Sequence, residues 1–117
     1  MVEGRLLLLV DDEAALLDLL KRYLERLGYS VEAYSSAEAA LAAFHSRPAN
    51  YRLVMTDLTL DGMSGEEMLG RMRLLNPSLK AIISSGYPYE PRTPGIVYLQ
   101  KPYVPKALSD LIAKLLA

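Results

Sequence analysis

Leu6-Leu-Leu-Leu-Val10-Asp11-Asp12-Glu13 is the stretch on which the fold of this chain turns. Its five apolar residues follow one another without alternation. That is the pattern of a strand buried on both faces, as in a parallel sheet covered by helices. Two aspartates end it abruptly. From Glu13 onward, Leu16, Leu17, Leu20, Leu24 and Leu27 return at helical spacing, and Gly28 supplies a stop. The order is strand, acidic turn, helix.

The same rhythm continues downstream. Tyr29 to Tyr34 reads as a second strand, and Ser35 with Glu38 forms a capping-box signature for a helix through Phe44 that Pro48 closes. Leu53 to Thr56 is a third strand ending at Asp57. Ser64 and Glu67 form another capping box, with Met68, Leu69, Met72 and Leu75 as the apolar face of the helix that follows. Ala81 to Ser84 and Ile96 to Leu99 read as the fourth and fifth strands. Pro105 then stands at the first position of a last helix bearing Leu108, Leu111, Ile112 and Leu115. Alternating strands and helices predict an α/β fold, a doubly wound five-stranded parallel sheet of the flavodoxin-like kind with right-handed crossovers. One section breaks the rhythm. Pro88, Pro91 and Pro94 stand between Gly86 and Gly95, and such a segment cannot propagate a regular helix. A loop, or at most one turn, is expected where the fourth helix should be.

Composition narrows the classes. The chain has 117 residues, room for one domain, expected over residues 1–117, with 51% hydrophobic residues for a real core. No cysteine is present, which excludes disulfides, thiolate metal sites and a cysteine nucleophile. Thirteen basic and fourteen acidic side chains give a net charge of −1, and no basic run marks a nucleic-acid binder. The longest apolar run, Leu6 to Val10, is too short to cross a membrane. A cytoplasmic location is expected, with no membrane or nucleic-acid partner.

In doubly wound sheets, sites form at the carboxyl ends of the strands. Asp11 and Asp12 end the first strand, Asp57 the third and Ser84 the fourth, and Lys101 follows the fifth. Alone, each has a plainer role: a helix cap, a turn, a strand end, a solvated charge. Together they are the parts of a phosphoryl site. Carboxylates gathered at one edge repel one another unless a hard divalent cation such as magnesium joins them. A lysine and a hydroxyl can then hold a tetrahedral phosphoryl group, and a central carboxylate can act as nucleophile and form an acyl phosphate.

Leu7-Leu-Leu-Val-Asp-Asp-Glu13, Val54-Met-Thr-Asp-Leu-Thr-Leu-Asp-Gly-Met-Ser-Gly65, Ile82-Ile-Ser-Ser-Gly-Tyr87 and Tyr98-Leu-Gln-Lys-Pro102 resemble, in order, the signature segments of response-regulator receiver domains. The Ser-Gly-Tyr and Leu-Gln-Lys-Pro-Tyr segments are most like receivers of hybrid histidine kinases. The resemblance implies that Asp57 accepts a phosphoryl group from a phosphohistidine on a sensor histidine kinase or phosphotransfer domain. It implies Mg2+ held by Asp12, by Asp11 mostly through water, by Asp57 and by the backbone carbonyl of Thr59. Lys101 would pair with the carboxylate and then with the phosphoryl oxygens, Ser84 would hydrogen-bond the phosphoryl group, and Tyr98 would be the aromatic switch. The Lys101-Pro102 bond would be cis, and Gly65 would open the third helix. No enzymatic role is implied beyond self-phosphorylation and slow self-dephosphorylation. Pairing of two copies through the switch surface is left open.

The chain also departs from the family. Asp61 and Gly62 replace a usual proline and its neighbour, adding a fourth acid near the site. Small residues at Thr59 and Gly86 predict easy water access and a short-lived phosphoryl group. The proline-rich segment interrupts the usual switch surface, so signalling is expected to work through order and disorder of residues 86–95. Two other readings compete: a degenerate receiver that only docks, and an aspartate-nucleophile phosphatase of the haloacid-dehalogenase type. The phosphatase needs a second aspartate two residues after the nucleophile, where Thr59 stands. Whether the chain is a stand-alone regulator or a domain of a hybrid kinase is also open.

Overall fold

The computed structural model describes residues 6–117. Five strands form one sheet in the order β2-β1-β3-β4-β5, every neighbouring pair parallel: β1 (Leu6–Val10), β2 (Ser30–Tyr34), β3 (Tyr51–Asp57), β4 (Lys80–Ser85) and β5 (Ile96–Gln100). Four helices connect or follow them: α1 (Ala14–Arg26), α2 (Ala37–Ser46), α3 (Gly65–Leu75) and α4 (Pro105–Leu116). This is the flavodoxin-like α/β architecture expected from the alternation. The run Leu6–Val10 is buried throughout.

Strand alternation deals the apolar side chains to two cores. Leu8, Val10, Val54 and Ile83 pack with Phe44 of α2 and with Met68, Leu69 and Met72 of α3. Leu7, Leu9, Leu53, Met55 and Ile82 pack on the other face with Leu17, Leu20 and Leu24 of α1 and with Leu108 and Ile112 of α4. Each full burial of such a side chain contributes on the order of 2 kcal/mol, and this is what orders the layers.

The helix ends follow local chemistry. The Ser64 hydroxyl accepts from the Glu67 amide at 3.0 Å, which starts α3 where its capping signature places it. At α2 the cap is Ser36, whose Oγ accepts from the Ala39 amide at 3.1 Å, rather than Ser35. That phase turns Ala37, Ala40 and Phe44 inward together, so core packing decides between two adjacent serines. Gly28 follows α1 with φ of +102°, a conformation that costs a side-chain-bearing residue strain. Between β4 and β5 the chain makes no helix at all, and the Lys101-Pro102 bond is cis.

Candidate functional site

Parallel strands in register carry their last residues to one edge. Val10 pairs with Thr56 and Asp57 with Ser84, so Asp11 and Asp12 of the β1–α1 turn reach the end of β3. Carboxylate oxygens of Asp11, Asp12 and Asp57 lie within 4.8 Å of one another. Asp11 is fully buried, Asp57 half-buried and Asp12 exposed. Asp11 Oδ1 also accepts from the Glu13 amide at 2.9 Å, which fixes the turn.

Lys101 comes from beyond β5, its amide donating to the Ser85 carbonyl at 2.8 Å. Its Nζ lies 2.8 Å from Asp11 Oδ2, 3.0 Å from Glu13 Oε1 and 3.7 Å from Asp57 Oδ2. Burial disfavours the ammonium, but hydrogen bonds to Asp11 and Glu13 and the charges of Asp11 and Asp57 hold its pKa above the ordinary lysine value. Asp57 is pushed up from the usual carboxylate range. Burial is the main cause, Lys101 opposes it, and the charges of Asp11 and Asp12 add to it. A cavity of about 360 Å³ lined by Glu13, Leu16, Gly86, Lys101, Pro102 and Tyr103 opens beside Lys101. Burial pushes the Tyr103 phenol there up to about 12.

The loop after Asp57 returns at once to α3. The Gly65 amide donates to the Leu58 carbonyl at 2.6 Å, and a single bridge joins Thr59 to Ser64. A side chain at Gly65 would run into the Asp57 carbonyl oxygen and come within 2.9 Å of the Thr56 methyl, so this close approach requires glycine. Asp61 is exposed and does not join the three converging carboxylates.

The two serines ending β4 behave differently. Ser84 is fully buried, and its hydroxyl has no hydrogen-bond partner among the described residues. Ser85 Oγ donates to the Tyr87 carbonyl at 2.5 Å and lies 2.9 Å from the Tyr98 hydroxyl. Tyr98 OH also donates to the Tyr87 carbonyl. Tyr98 pairs in register with Ile83, so strand alternation gives its face to Ser85 and not to Ser84. The sequence reading named Ser84 and passed over Ser85. Only the β4–β5 register separates the two.

The three-carboxylate cluster suits a hard divalent cation, since oxygen donors of like charge at this spacing are what magnesium binds. The sequence profile of the response regulator receiver domain matches residues 7–113. Similar curated proteins include the response regulator FleR of Pseudomonas aeruginosa, 35% identical over 113 residues that cover 92% of this chain and 24% of FleR. The two-component response regulator ARR14 of Arabidopsis thaliana is 32% identical over 117 residues, covering 92% of this chain and 30% of ARR14. The chain thus spans under a third of the length of these two regulators. Among solved structures, the receiver domain of the hybrid histidine kinase CckA superposes with a TM-score of 0.87 at 26% identity, covering 96% of this chain and 99% of that one. A response regulator receiver protein from Sinorhizobium medicae gives 0.89 at 27% identity, covering 99% and 97%. The strand order, the acidic edge and the profile match over residues 7–113 agree, and the chain belongs to the receiver-domain family of two-component response regulators.

Proposed function

We propose that this domain is a phosphoacceptor in a two-component relay, with Asp57 taking the phosphoryl group from a phosphohistidine on a sensor histidine kinase or phosphotransfer domain in the cytoplasm. The observation that carries this reading is the convergence of Asp11, Asp12 and Asp57 with Lys101 at the carboxyl edge of the sheet. An Asp57 oxygen attacks phosphorus in line; the O–P bond forms as the N–P bond breaks, and the electron pair leaves with the imidazole nitrogen. Asp11, Asp12, Asp57 and the Thr59 carbonyl would hold Mg2+, which when bound would supply positive charge beside the phosphoryl oxygens. Lys101 exchanges its partners Asp11 and Glu13 for a phosphoryl oxygen. We assign the hydroxyl that meets the phosphoryl group to Ser85 rather than Ser84, because Ser85 is the serine joined to Tyr98. Hydrolysis of the acyl phosphate resets the domain.

Mass spectrometry after incubation with magnesium and a small acyl-phosphate donor tests the reading. One added phosphoryl group that disappears in Asp57→Asn is the expected result. No gain leaves a docking module, and steady turnover of a generic phosphate ester would point to a phosphatase instead.

A further inference from the structure

The segment between β4 and β5 lacks helical structure, yet it is tied down at both ends of α3. One carboxylate holds the near end. Glu66 Oε2 accepts from the Arg92 amide at 2.8 Å, the Thr93 amide at 2.7 Å and the Thr93 hydroxyl at 2.9 Å, while Oε1 accepts from the Tyr89 hydroxyl. Two helical turns further on, Arg73 donates to the carbonyls of Pro94 and Gly95 at 2.8 and 3.1 Å. Residues 87–95 are therefore a strap laid along one face of α3, held by side chains seven positions apart.

The strap is also tied to the end of β4. Tyr87, its first residue, offers its carbonyl to the hydroxyls of both Ser85 and Tyr98. The Tyr98 ring packs against Tyr89 with centroids 6.4 Å apart, and the Tyr89 hydroxyl is one of the four groups on Glu66. A single chain of contacts thus runs from the serine at the end of β4, through two tyrosines, to the latch on α3.

We propose that Glu66 is the latch of this strap, and that its closure reports whether Asp57 carries a phosphoryl group; the reporting role rests on the reading of Asp57 as phosphoacceptor. Ser85 has one hydroxyl proton. Once that proton is given to a phosphoryl oxygen and Ser85 turns toward it, the Tyr87 carbonyl loses one of its two hydroxyl donors and Tyr98 loses its contact with Ser85 Oγ. Tyr98 then leaves its seat, Tyr89 loses its ring contact, and the Glu66 cluster loses one of its four donors. Pro88, Pro91 and Pro94 restrict the released strap, so ordering it costs less entropy than for an ordinary loop. The device replaces a shifting helix with a strap that is latched or free.

Amide hydrogen exchange read by NMR tests both parts. The samples are wild type, Glu66→Ala and Ser85→Ala, each alone and with Mg2+ plus beryllium trifluoride, whose occupancy of Asp57 is followed separately by its fluorine signal. Without the probe, Glu66→Ala should speed exchange at the Arg92 and Thr93 amides at least tenfold while the β1 and β3 amides stay protected. With the probe bound, wild type should show the same acceleration, whereas Ser85→Ala, which lacks the hydroxyl from the start, should exchange fast with and without the probe. Unchanged exchange in Glu66→Ala overturns the latch, and a bound probe that leaves the wild-type strap protected overturns the reporting role. Absence of a bound fluorine signal overturns instead the reading of Asp57, and the reporting role with it, while the Glu66→Ala comparison still decides the latch.

Discussion

The hydroxyls of Tyr98 and Ser85 lie 2.9 Å apart, and both donate to the carbonyl of Tyr87. Ser84, one residue earlier, is buried with a hydroxyl that has no hydrogen-bond partner among the described residues. The two serines should therefore respond oppositely to the same substitution. Ser85→Ala removes a satisfied hydrogen bond and is expected to cost about 1 kcal/mol in urea unfolding. Ser84→Ala removes an unsatisfied buried polar group and should be neutral or stabilising by up to about 1 kcal/mol. A larger loss for Ser84→Ala would mean that its hydroxyl has a partner in solution.

The raised pKa of Asp57 predicts a stability cost at neutral pH. A carboxyl whose folded pKa lies above its ordinary 3.8 destabilises the fold as pH rises past that value, and the cost is complete above the folded pKa. Asp57→Asn removes the charge that burial and the neighbouring aspartates penalise. Its thermal midpoint at pH 7 should rise above that of wild type. Magnesium should raise the wild-type midpoint more than that of the variant, which a titration followed by calorimetry would show.

Glu66 has the opposite sign. Burial works to raise its pKa, but hydrogen bonds from Tyr89, from the Thr93 hydroxyl and from the Thr93 and Arg92 amides outweigh it and hold the carboxyl below its usual 4.5. Its contribution is thus complete above pH 4.5 and is lost as pH falls through the lowered folded value. Wild type should lose stability in that acid range relative to Glu66→Gln, with the two curves parallel from pH 5.5 to 7.5.

Gly65 admits no side chain. Gly65→Ala drives a methyl group toward the Asp57 carbonyl oxygen and the Thr56 methyl, both backed by β3. Overpacking of this kind costs about 1–3 kcal/mol. The variant should also take up phosphate from a small donor more slowly, because α3 can move away only by pulling the Asp57–Leu58 backbone with it. A stability loss with an unchanged rate of phosphate uptake would separate the two effects.

Most of the fold was readable before any coordinates. The unbroken run Leu6–Val10 announced a strand covered on both sides, and Asp11, Asp12, Asp57 and Lys101 fell at strand ends because doubly wound sheets collect them there. Other features depended on partners distant in the chain. Ser35 and Ser36 both suit a cap, and the buried face of α2 chose between them. Ser84 and Ser85 differ only in which face of β4 they occupy, which the register with Tyr98 decides. Glu66 looked like one more acid in a first helical turn. Its amide partners lie 26 and 27 residues away, beyond the reach of any local pattern.

The hold that Glu66 and Arg73 exert on the strap has an evolutionary side. A helix docked on the sheet is retained by many apolar contacts, each shared with the core, so weakening it puts the whole domain at risk. Here the latch is two polar side chains of α3 that belong to neither hydrophobic cluster, with Tyr89 of the strap resting on the edge of one cluster. A single nucleotide change at either codon can retune how readily the strap opens while the sheet and the acid edge stay as they are, so related chains can drift in signal threshold without first losing their fold.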